Sequence, residues 1–194
     1  MVDNFELVKK FMITEPDVFY HTTVIRRGKD HPDLPAANKT INTWLVRGPM
    51  ALDRLRPDIE LLCKAYGARA YINIAPKSLD KLNKLIALHI NQNLYNGNVV
   101  NPMKVLDHCV GELMSQDKKW IVDVDNLDHK ARIEQHITDI WSRIHFRIDP
   151  WKIAEIPTKT GVHLITHPFN LEAFQLLEPG VDVHKNNPTC LYVP

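Results

Sequence analysis

At 194 residues the chain is long enough for one domain, or one domain with an appendage. Its 44% hydrophobic and 24% charged residues supply material for a sizeable core. A formal net charge of +1 gives no overall basic field of the kind that announces nucleic acid, so any such surface has to be a local patch. No apolar run approaches the roughly 18 residues of a membrane span, and Cys63, Cys109 and Cys190 lie outside any CxxC pair, which excludes a disulfide framework or a zinc knuckle.

The N-terminal stretch "MVDNFELVKKFMITEPD" predicts a short amphipathic helix over Phe5 to Met12, with acids where a signal peptide has none. Together with the unpaired cysteines, this describes a cytoplasmic protein in a reducing compartment. Two extended segments follow. "DVFYHTTVIRR" is rich in aromatic and β-branched residues, and "KTINTWLVR" alternates apolar with polar residues; the turn-rich "GKDHPDLPAAN" joins them. Leu52, Leu55, Ile59 and Leu62 fall at helical spacing between Pro49 and Tyr66, with Pro57 an internal objection and Gly67 a natural stop. "ARAYINIA" predicts a buried strand, and two helices fill Ser78 to Met114 on either side of "NGNVVNP".

The second half is more orderly. "KKWIVDVD" predicts a strand, and Ile133, Ile137, Ile140 and Ile144 make one face of a helix over Asp128 to Ile144. "KIAEIPT" and "GVHLITH" predict two strands joined by a Thr-Lys-Thr-Gly turn. Asn170 caps a helix in "NLEAFQLL", and "VDVHKNNPTCLYV" closes with extended chain around a bend. The expected class is therefore α+β: a βαββαβ sheet of RNA-recognition-like type over residues 118–194, preceded by an α/β module over residues 1–117, the two forming one compact unit. In that plan the first and third strands are neighbours.

That adjacency gives the acids a meaning. Asp123 and Asp125, at i and i+2, share a face of their strand; His163 comes from the neighbouring strand, and Asp182, with His184 close behind, from the last segment. Carboxylates converging on one spot repel one another and call for a hard cation, Mg²⁺ or Mn²⁺, the apparatus of in-line phosphoryl transfer. The competing reading is a solvated strand end and a packed histidine. Arg26, Arg27 and Lys29 in "RRGK", and Arg69 and Tyr71 in "ARAYI", are candidates for contacts with a nucleic-acid backbone or base. A solvated basic hairpin end is the competing reading for the first three.

The ordered set "VDVD" (Asp123, Asp125), "TGVH" (His163) and "VDVH" (Asp182) resembles the motifs of archaeo-eukaryotic primases and primase-polymerases. It departs from them in having Thr-Gly where the family often has serine. The tail "DVHKNNPTCLY" is similar to the corresponding stretch of polymerase domains attached to bacterial end-joining ligases, and "IPTKTGVHLITHPFNLEAF" looks like a stretch of small bacteriophage proteins. The likeness covers about the last 80 residues. It implies a nucleotidyltransferase acting on nucleoside triphosphates and on single-stranded or primed DNA. In that reading Asp123, Asp125 and Asp182 are metal ligands and His163 contacts the triphosphate. Lys159 adds positive charge there, and Thr160 with the Gly161 amide donates to phosphate oxygens. A non-catalytic nucleic-acid or nucleotide-binding protein on the same sheet is the alternative. A haloacid-dehalogenase-like phosphatase, suggested by "IVDVDN", ranks below both because that motif belongs near the start of a parallel α/β domain.

Overall fold

The computed structural model describes residues 1–33, 38–115, 117–144, 150–185 and 188–194. The chain is mixed α+β. Its elements, in order, are β1 (Val2–Asp3), α1 (Phe5–Lys9), β2 (Val18–Arg26), β3 (Lys39–Val46), α2 (Pro49–Tyr66), β4 (Arg69–Ile72), β5 (Lys77–Ser78), α3 (Leu79–Tyr95) and α4 (Pro102–Glu112). They continue with β6 (Trp120–Val124), α5 (Lys130–Ile144), β7 (Lys152–Pro157), β8 (Val162–Thr166), α6 (Leu171–Leu177), β9 (Val183–His184) and β10 (Thr189–Val193).

Local chemistry accounts for most boundaries. Gly67 ends α2 in the left-handed conformation at φ 56°. Pro57 does not split α2. It lies on the exposed side of the helix, so solvent can take the place of the backbone donor it lacks. Ser78 and Asn101 cap α3 and α4 by accepting from first-turn amides, and Asn170 caps α6 through Ala173. The expected helix from Asp128 begins two residues later, after a 3-10 turn at Leu127–His129. The expected helix to Met12 stops at Lys9, and "ARAYINIA" keeps only four residues as strand before β5. Part of the "GKDHPDLPAAN" connection, two residues of the closing segment and the side chain of Ile144 lie outside the described residues.

The strands form two sheets in which every described ladder is antiparallel. The first runs β1-β10-β4-β2-β3 with β5 also on β2, and the second runs β7-β8-β6-β9. In the second sheet Asp123 pairs with His163 and Val122 with Leu164. The closing segment is shared: β9 borders β6, while β10 crosses to lie between β1 and β4.

Strand alternation sorts the second sheet into two faces. Val122, Val124, Val162 and Leu164 pack with Ile133, Ile137 and Ile140 of α5 and Phe174 of α6. Ile121, Ile156 and Ile165 join one buried cluster with Val24, Ala70, Ile72 and Leu191 of the first sheet and Leu52, Ile59 and Cys63 of α2. Each valine, leucine, isoleucine or phenylalanine among them contributes about 1.5–3 kcal/mol when fully buried. Buried Asn4 stitches the two sheets, its amide donating to the carbonyls of Pro157 in β7 (2.8 Å) and Cys190 in β10 (3.0 Å). No helix among the described residues is long and apolar enough to cross a membrane. All three cysteines are free and buried, and burial pushes the thiols of Cys63 and Cys190 up to about 12 and about 11.

The far face is locked by Glu178, buried after α6, which accepts two hydrogen bonds from Arg132 of α5 (2.8 and 3.0 Å) and sits 2.9 Å from His136. Burial alone would raise its carboxyl; the bonds and charge of Arg132, helped by His136, outweigh that and hold it below the ordinary value. Such a group stabilises the fold above its unfolded pKa, roughly 4.3, and loses that contribution as pH falls through the folded one. Glu178→Gln is expected to cost about 1–2 kcal/mol at pH 7, with Arg132 half-exposed. Urea unfolding should show the gap to wild type closing below about pH 4; a gap independent of pH contradicts this assignment.

Candidate active site between the two sheets

Asp123 shares its face of β6 with Ile121, so the alternation that buries the isoleucine between the sheets brings the carboxylate to the margin of the same interface. Across the gap stand Arg27, just after β2, and Arg69 and Tyr71 of β4. These three, with Asp123, Asp125, Thr158, Lys159, Thr160, His163 and Cys190, line a cleft of about 70 Å³. It adjoins a wider depression of about 260 Å³ that shares Arg27, Tyr71, Asp123 and His163 and adds His184. A third, of about 170 Å³, shares Asp123 and Asp125 and adds Asp182. The first two open between the sheets, whereas the third also touches Val124 and Ile133 and so lies toward the α5 side of the second sheet.

The electrostatics of the cleft are uneven. Burial raises the Asp123 carboxyl above the usual aspartate value, and the charges of Asp125 and Asp182 push it the same way. The Asp123 amide donates to the Asp182 carbonyl at 2.9 Å, which continues the β6–β9 ladder and sets the two residues side by side. Burial also drives the His163 imidazole down to about 4, with His184 adding to the effect. His163 is therefore neutral near pH 7, and its Nε2, 3.6 Å from Asp123 Oδ1, makes no ion pair there. Its Nδ1 is hydrogen-bonded to Thr189 Oγ1 at 2.9 Å, so β10 orients the ring.

The turn between β7 and β8 is built tightly against the end of β6. A Cβ on Gly161 would stand 2.0 Å from the Val124 carbonyl oxygen and 2.9 Å from Asp125 Cα. The close backbone approach expected at Gly161 is thus made to the protein's own strand. Its amide donates to Thr158 Oγ1 (2.9 Å), and the Thr160 hydroxyl donates to Asp125 Oδ1 (3.3 Å). The two donors expected to meet phosphate oxygens are both engaged within the turn.

The expected basic residues divide. Arg27, Arg69 and Lys159 line the cleft, whereas Arg26 and Lys29 are not among its lining residues. Asp30, which local sequence did not single out, ties two of them down, meeting Arg69 Nη2 at 2.5 Å and Lys159 Nζ at 3.5 Å. Burial would raise its carboxyl, but Arg69 and then Lys159 hold it below the ordinary value. Burial raises the Tyr71 phenol, against the pull of Arg27 and Arg69 beside it. Thr189 also escaped notice as a site residue, although it lies in the quoted tail. His167 is elsewhere, stacked on Trp141.

Asp123, Asp125 and Asp182 do not bring one donor atom each within 4.8 Å of the others; among the described residues only His89, His108 and Glu112 reach that spacing. Comparison with protein-family models, curated proteins and solved structures finds nothing that matches this chain.

Gly161→Ala is expected to lower stability by about 2–4 kcal/mol in urea unfolding, because backbone rather than a flexible side chain must give way. Gly180→Ala, with open space around the new methyl, should stay within about 0.5 kcal/mol of wild type. Equal effects at the two positions would contradict the packing described for the turn.

Proposed function

We propose that the chain is a metal-dependent nucleotidyltransferase of primase-polymerase type, acting on nucleoside triphosphates and single-stranded or primed DNA. The observation that carries this reading is the sharing of one cleft by the carboxylates of Asp123 and Asp125 from one sheet and the guanidinium groups of Arg27 and Arg69 from the other. Carboxylates suit hard cations and guanidinium groups suit phosphate oxygens, so the cleft offers both halves of what a metal-bound triphosphate needs. The strand order β7-β8-β6-β9, second-third-first-fourth within the C-terminal half, supports the RNA-recognition-like reading of residues 118–194.

In chemical kind the donors suit Mg²⁺ or Mn²⁺, although the three carboxylates stand too far apart here to share one ion without drawing together. Asp123, Asp125 and Asp182 offer only oxygen; burial first, and then the charges of Asp125 and Asp182, raise the Asp123 carboxyl, and a cation offsets both. These three residues would hold the ions, which when bound neutralise phosphate charge and favour the ionised form of an attacking hydroxyl. Arg27 and Arg69 would grip phosphate oxygens, with Arg69 and Lys159 exchanging the Asp30 carboxylate for the incoming phosphate. His163, neutral and fixed by Thr189, can donate one hydrogen bond without adding charge. The reaction suited to this set is attack of a 3′-hydroxyl on the α-phosphate, the new P–O bond forming as the bond to pyrophosphate breaks.

One observation favours a second reading, a nucleotide- or nucleic-acid-binding protein without catalysis: the donors of the β7–β8 turn and two of the cations already have partners within the protein. The phosphatase reading finds no support, since the described ladders are antiparallel.

Labelled nucleotides, Mg²⁺ or Mn²⁺ and primed or unprimed single-stranded DNA separate the two. Wild type is expected to extend the primer or make dinucleotides, with the Asp123→Ala/Asp125→Ala variant slower by about 100-fold or more. Activity no greater than that of the double variant overturns the catalytic reading, and nucleotide retention that survives a chelator would then identify a binding protein.

A further inference from the structure

Away from the cleft, α3 and α4 carry a second group of ligating side chains. His108 and Glu112 stand four residues apart on one face of α4, and His89 of α3 lies opposite them. His89 Nε2 is 2.9 Å from Glu112 Oε2 and His108 Nε2 is 3.3 Å from Glu112 Oε1. The two imidazole rings meet edge to face, their centroids 4.8 Å apart. We propose that His89, His108 and Glu112 form a binding site for a borderline divalent transition-metal ion, zinc foremost, that staples α3 to α4.

The chemistry of the donors selects the ion. Two imidazoles and one carboxylate suit zinc and its neighbours, whereas Mg²⁺ prefers oxygen alone, so this site and the aspartate cleft differ in kind. Tetrahedral ligands about 2.0–2.1 Å from zinc stand about 3.3 Å from one another. The imidazole–carboxylate separations of 2.9 and 3.3 Å run to different oxygens of Glu112, so binding an ion requires a modest rotation of these side chains, two of which are exposed. One donor atom from each residue already lies within 4.8 Å of the other two. A histidine–carboxylate hydrogen bond needs one imidazole; here two converge on opposite oxygens of a single carboxylate, where a cation can replace the shared protons.

The scaffold holds the donors in register. Leu82 of α3 packs with Val105, Cys109 and Val110 of α4 in one buried cluster, with Leu85, Ile86 and Ile90 at its edge, so both helix backbones are fixed beneath the histidines. Three protein ligands leave a coordination position free. His89 and His108 line a cavity of about 380 Å³ with Asn93, Asn101 and Lys104 on its walls, room for a water or a small anion as the fourth ligand.

The test uses untagged, full-length protein stripped with a chelator, titrated with ZnCl₂ by calorimetry and with Co²⁺ by visible absorption. The expected result is one histidine-dependent ion per chain, beside any held by the cleft carboxylates, a rise in melting temperature on zinc addition, and an intense tetrahedral Co²⁺ spectrum. His108→Ala, at an exposed position and checked for fold by circular dichroism, should weaken zinc binding about tenfold or more, and Glu112→Gln should do likewise. Asp123→Asn/Asp125→Asn should leave the histidine-dependent zinc binding and the tetrahedral Co²⁺ spectrum unchanged, so the fate of this site is read separately from that of the cleft. The proposal is overturned if no saturable one-to-one binding is seen, or if binding persists in both His89→Ala and His108→Ala.

Discussion

The strand β6 has to satisfy two demands on one face. Ile121 is buried in the apolar contact between the sheets, and the pleat then commits Asp123, two residues on, to the rim of the same contact. A carboxylate in that position is partly stripped of water and stands beside two more acids, so its ionised form is disfavoured until something positive approaches. Arg27 lines the same cleft from the opposite sheet, and the site exists only because the two sheets are packed face to face.

That packing depends on chain segments far apart in sequence. Asn4 joins β7 to β10 from the N-terminus, and β10 carries both Leu191 into the core and Thr189 to the ring of His163. Gly161 lets the β7–β8 turn press on Val124 and Asp125, which fixes where the second acid stands. The site is therefore a property of the interface: loosening either sheet separates the acids from the arginines.

The sequence made the local parts of this legible and the non-local parts not. Isoleucines at 133, 137 and 140 announced α5, and apolar runs announced β2, β6 and β8, because burial imposes periodicity on each element by itself. The i, i+2 acids and the histidine of the neighbouring strand were readable for the same reason, since alternation and strand adjacency follow from element order. Asp30 was not readable: its partners Arg69 and Lys159 lie 39 and 129 residues away, and nothing in a Gly-Lys-Asp turn points to them. The passage of β10 into the first sheet was hidden too, because its five buried residues fit an edge or a centre equally well. His108 and Glu112 did show helical i, i+4 spacing, but only the tertiary fold supplies His89.

The central claim, that the acids at the end of β6 gather divalent cations opposite the arginines of the first sheet, can be read residue by residue by nuclear magnetic resonance. Substoichiometric Mn²⁺ should broaden the amide signals of Asp123, Val124, Asp125 and Gly161 first, with Tyr71 across the cleft following. Signals at these positions that stay sharp while others disappear would contradict the account.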